Sequence, residues 1–73
     1  MHSEIVWRAF SSVLPYLVYP QELKQLLEES PGAPVEVLVQ RLREAIPKLD
    51  EIRRTDIRIF LNELERLVRA GGA

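Results

Sequence analysis

Apolar residues recur at three- and four-residue spacing along nearly the whole chain, with no run of strict alternation and no Asn-Gly or Asp-Gly hairpin signal, so the pattern predicts an all-α fold. A first helix over about residues 4–14 starts at Ser3 as N-cap and aligns Val6, Phe10, Val13, Leu14 and Leu17 on one stripe. Pro15 ends or kinks it. Pro20 opens a second helix over about 20–30 that carries Leu23, Leu26 and Leu27 and stops at Ser30-Pro31-Gly32. From Pro34, residues Val35, Leu38, Leu42, Ala45, Ile46, Leu49 and Ile52 fall within about 120° on a helical wheel. Pro47 breaks this third segment in sequence but not in phase, and the pattern favours one helix over 34–52 kinked at Pro47; the alternative ends the helix at Ala45 in a loose turn. A fourth helix over about 55–70 has Thr55 as N-cap, Asp56 in its first turn and a stripe of Ile57, Phe60, Leu61, Leu64, Leu67 and Val68. Glu65 and Arg69 make a helix-supporting pair, and residues 71–73 form a frayed tail.

With no internal repeat and no long linker, residues 1–73 read as one helical domain, a small bundle of three or four helices. A chain of 73 residues buries only about 60% of the surface its unfolded form exposes. The fold is therefore expected to be completed by dimerisation or by a partner. The absence of cysteine excludes disulfide staples and the usual structural zinc sites. A formal charge of −1 argues against bulk electrostatic capture of nucleic acid, and the lack of any long apolar run argues against a membrane span. The expected location is cytoplasmic, with no membrane partner.

The residues offer little chemistry. His2 stands at the terminus with no second His or Cys to share a metal, and no internal histidine serves the hydroxyls Ser3, Ser11, Ser12, Ser30 and Thr55. The carboxylates Glu28-Glu29, Asp50-Glu51 and Glu63 with Glu65 lie on predicted polar faces, where no desolvated cleft would shift their pKa. Three glycines leave no phosphate-cradling loop. The expectation is a protein that is not an enzyme, with no cofactor, metal or small-molecule substrate.

Nucleic-acid binding has two hints. Residues 26–42 can be laid on a helix-turn-helix whose second helix would offer the groove Glu36, Val37, Val39, Gln40 and Arg43, a poor set for phosphate. In the fourth segment Arg54, Arg58, Asn62, Arg66 and Arg69 lie on the polar side. The run from Arg54-Thr55 through Leu61, Leu64 and Glu65 to Ala70-Gly71 resembles the recognition helix of winged-helix regulators, which implies phosphate or base contacts for that side. From Arg41 onward there are eight basic and six acidic residues, a mild asymmetry.

Apolar residues outside the core stripes are the stronger signal: Trp7 on the first helix, Val37 and Val39 on the third, Ile59 on the fourth, and Tyr16 and Tyr19 in the proline-flanked connection. Val37 lies about 100° from its helix's stripe and Ile59 about 160° from its own, too far to share a core with their neighbours. The sequence thus predicts a protein-protein interaction module, self-associating or docking as an adaptor, inhibitor or regulatory subunit. Trp7, Tyr16, Tyr19, Val37, Val39 and Ile59 would be its anchors. The alternative is a small helix-turn-helix DNA-binding regulator using Arg54, Arg58, Asn62, Arg66 and Arg69.

Overall fold

Prolines and leucine spacing divide the chain, in a computed structural model that describes residues 2–29 and 33–72, into four α-helices. These are α1 (His2–Val13), α2 (Pro20–Glu28), α3 (Val35–Ala45) and α4 (Glu51–Gly72). No strand is present among the described residues, and the architecture is a small all-α bundle. α4 is the central element: α1 packs along it, and α2 joins it on another side. The core combines Val6, Ala9, Phe10 and Val13 of α1 with Leu23 and Leu27 of α2, Val35, Leu38 and Leu42 of α3, and Ile57, Phe60, Leu61 and Leu64 of α4. Nearly every position of the four predicted stripes that falls mid-helix is there.

Both α1 and α3 end in the same corner. After Val13 the chain makes a 3₁₀ turn, Leu14-Pro15-Tyr16, and after Ala45 it makes another, Ile46-Pro47-Lys48. Each turn is followed by a leucine in extended conformation whose N–H donates three residues back, Leu17 to Leu14 O at 3.2 Å and Leu49 to Ile46 O at 3.1 Å. Proline supplies the fixed φ and, lacking an N–H, cannot continue the α-helical ladder.

The second corner corrects the expectation of one helix over 34–52. Pro47 does not bend a continuous helix; the helix stops at Ala45, and Leu49 at ψ 157° separates α3 from α4. Ile52, read as the end of the third stripe, stands in the first turn of α4 and is 45% exposed. Three end assignments also move. Ser3 lies inside α1 and is not its N-cap, and the stop at Ser30-Pro31-Gly32 lies outside the described residues. Thr55 does not cap the last helix, which begins four residues earlier at Glu51; its hydroxyl donates to Glu51 O at 2.9 Å, the back-bond typical of a threonine within a helix. The glycines do not fray into a tail at 71, because α4 continues through Gly72.

Asp56 is the principal surprise. It is 3% exposed, and its two carboxylate oxygens accept the backbone N–H of Val18 at 3.0 Å and of Tyr19 at 2.8 Å. α2 begins at Pro20 with no side chain of its own capping it, so a carboxylate from α4 pins the entry to that helix.

Arg53, three residues earlier, reinforces the joint. Its guanidinium donates to both oxygens of Glu22 at 2.8 and 2.7 Å and to Asp50 at 3.0 Å, and lies 4.3 Å from the Tyr19 ring centre. These hydrogen bonds hold the Glu22 and Asp50 carboxyls below their ordinary values of 4.5 and 3.8. A carboxyl whose pKa is lowered by folding binds fewer protons in the folded chain. Its contribution is therefore complete above the ordinary value and fades as pH falls through the lowered one. The destabilisation caused by Arg53→Ala is accordingly expected to shrink between about pH 7 and about pH 3, read as the change in urea midpoint at each pH. A difference independent of pH would show that the ion pairs do not matter to stability.

Candidate functional site

α3 approaches the α4 backbone at few points, and the two helices leave a shallow groove of about 740 Å³ between them. Its floor is apolar. Leu64 is fully buried, Val35 is 8% exposed, and Val39 and Val68 rise from the floor toward solvent, Val68 at 38% exposure. The period of each helix produces this arrangement: Val35 and Val39 are one turn apart on α3, as are Leu64 and Val68 on α4. Val68 completes the predicted core stripe of the last helix, but it lines the groove and stays exposed there instead of closing into the core.

Charge lines both banks. On the α3 side stand Glu36, Gln40, Arg43 and Glu44, and on the α4 side Glu65 and Arg69. Arg43 forms an ion pair with Glu65 that crosses between the helices. This replaces the expected pairing of Glu65 with Arg69 along one helix. Both arrangements satisfy Glu65, and only the tertiary approach of α3 makes the first available. Arg69, Glu36 and Glu44 are exposed and form no ion pair among the described residues.

The expected interface residues fall in three places. Val39 lines the groove, and Val37 stands just outside it. Val37 is 38% exposed and lies about 20° from Glu44 on the helical wheel, at the outer edge of the α3 bank. Tyr16 and Tyr19 stand apart at the first corner, 71% and 36% exposed, beside Leu14 and Val18. Leu14, expected in the core, is 44% exposed there, because the 3₁₀ turn rotates it away from the face of α1; Ala9 fills the stripe instead. Trp7 and Ile59 are half-buried and packed on the core, Trp7 edge-on to Phe10 with ring centres 5.7 Å apart. That corrects the reasoning from angle for Ile59; Val39, read as lying outside the stripe of α3, also touches the core. A central helix flanked on more than one side buries a wider arc than a single stripe, and the apolar positions of α4 from Ile59 to Leu61 span about 200°.

The predicted phosphate-facing residues are divided as well. Arg58, Asn62, Arg66 and Arg69 are exposed on α4. Arg54 is half-buried and its Nε donates to Leu49 O at 2.9 Å, satisfying the end of the second corner. Arg66 is paired with Glu63 at 2.7 Å, which holds the Glu63 carboxyl low, with a contribution from Ser12. The helix-turn-helix laid on residues 26–42 meets a geometric objection: Glu36, Val39, Gln40 and Arg43, four of its five reading residues, line the groove against α4.

A smaller cavity of about 160 Å³ lies between α2 and α4 beside Tyr19, Leu26, Leu49 and Arg53. The Arg53 guanidinium that faces it is already taken by two carboxylates. Among the described residues no group of His, Cys, Asp or Glu is placed to hold a metal ion, and no helix is long and apolar enough to cross a membrane.

No curated protein and no solved structure matches the chain. A family model does match, over residues 4–69, a span that takes in α4 to Arg69 and nearly all of α1 and includes both banks of the groove. The chain belongs to the MJ1579 family.

Proposed function

We propose that the protein is a non-catalytic interaction module, a small adaptor, inhibitor or regulatory subunit that works by burying the α3–α4 groove against a protein partner. The observation that carries this reading is the groove itself, an apolar strip through Val39 and Val68 rimmed by charged side chains, which is the anatomy of an interface core and its rim. The carboxylates support a role without chemistry. Glu22, Asp50 and Glu63 are held low by arginines, the opposite of what a general acid at neutral pH needs, and Asp56 is occupied by two backbone amides. The setting is a cytoplasmic one in this reading, with no cofactor and no membrane contact. Tyr16 and Tyr19 form a separate apolar corner that would serve a second contact.

Val68→Asp tests it. The substitution places a charge in the strip at a side chain already exposed, so helicity by far-UV circular dichroism is expected to hold while a stoichiometric protein captured by the wild type, a second copy included, is lost. Capture by Tyr16→Ser reports on the other corner. An unchanged set of captured proteins would sink the groove as the docking face. The regulator reading draws on Arg58 and Asn62, exposed side by side on α4. It predicts instead that nuclease treatment strips everything captured and that retention falls steeply with salt.

A further inference from the structure

We infer that the groove is covered by a second copy of this chain, seated groove to groove; this rests on the reading of the groove as a docking face. The argument is charge complementarity. On the α3 bank Glu36 and Glu44 are exposed without ion pairs, on the α4 bank Arg69 is exposed without one, and Arg43 and Glu65 neutralise each other between them. A closed dimer presents the same patch from both copies, so its surface must be complementary to itself. Two faces related by a two-fold axis running along the groove set the α3 bank of each copy against the α4 bank of its partner. Each Arg69 then meets a bank carrying two carboxylates, and Val39 and Val68 of the two copies share the dry centre. A groove with free charge of one sign on both banks could not do this. Here the signs are divided between the helices.

Sedimentation equilibrium of the full chain, over a wide concentration range, is the test. The wild type is expected at twice its 8.5 kDa. Arg69→Glu makes the free rim wholly acidic, and Glu36→Lys with Glu44→Lys makes it wholly basic. Each preparation alone is expected to lose affinity by about tenfold or more, whereas an equimolar mixture of the two regains dimers, because an acidic rim then faces a basic one. Far-UV circular dichroism on every variant separates lost contact from lost fold. Variants that all dimerise like the wild type overturn the inference, as does a wild type that stays at 8.5 kDa throughout. In that last case, loss of a different captured protein by Val68→Asp would leave the docking reading standing with another occupant. If Val68→Asp also changes nothing, both fail.

Discussion

Replacing Phe60 with alanine is expected to destabilise the fold by about 3–5 kcal/mol, measured as the shift in urea unfolding free energy at constant m-value. Phe60 is 0% exposed and lies midway along α4, the helix on which the others pack. Truncation removes the transfer energy of a phenyl ring and leaves a void that rigid neighbours on several sides cannot close. A chain of this length has a total stability of roughly 4–11 kcal/mol by the usual per-residue range. At the lower end of that range the variant would stand at the edge of unfolding at room temperature. Phe60→Leu, which refills most of the space, is expected to recover the larger part. Similar modest losses for both substitutions would mean that α4 is not the centre of the packing.

The second large effect is expected at Asp56. Asp56→Ala removes the acceptor for two backbone N–H groups, and each bond to a charged acceptor contributes about 1.5–3 kcal/mol. The full sum will not be lost, because Val18 and Tyr19 are themselves exposed and water can reach their amides once the carboxylate is gone. A destabilisation of about 2–3 kcal/mol is the expected outcome, a fall in Tm of roughly 10–20 °C for a domain of this size. Asp56→Asn keeps one good acceptor and should fall between the two. An alanine variant within about 0.5 kcal/mol of wild type would show that the pin is dispensable.

Helix-forming periodicity and proline placement made most of this fold legible. Leu23 and Leu27, Leu38 and Leu42, and the run Ile57, Phe60, Leu61 and Leu64 announce their buried faces by spacing alone. Misreadings gather at the ends, where spacing carries least information. Pro47 kept the phase of the third stripe, so the break at Leu49 was invisible to a wheel, although the identical behaviour of Pro15 offered a guide. Asp56 was readable in principle. It lies between Ile59 and Leu67 on the wheel of α4, inside an apolar arc, and a charge in that position has to find a partner. Nothing in the sequence identified the partner as the amides of Val18 and Tyr19, nearly forty residues away. The groove was half legible: Val39 stood out as surplus, with Val37 beside it. Val68 was hidden because it fits its own helix's stripe, and only the folded structure shows it exposed. The ion pair between Arg43 and Glu65 has no local signature, whereas Glu65 and Arg69 have an attractive one.

The two proline corners set a limit on how the chain could vary in length. Each is a ruler of fixed size: proline fixes one torsion, the next leucine is hydrogen-bonded three residues back, and that leucine turns inward, Leu17 into the core and Leu49 against it. One inserted residue would break the bond and carry the leucine off its seat, so neither corner can lengthen without moving the helix that follows. Tolerance for added or deleted residues must lie elsewhere. The last turn of α4, where a side chain added at Gly71 would meet nothing, has room for it.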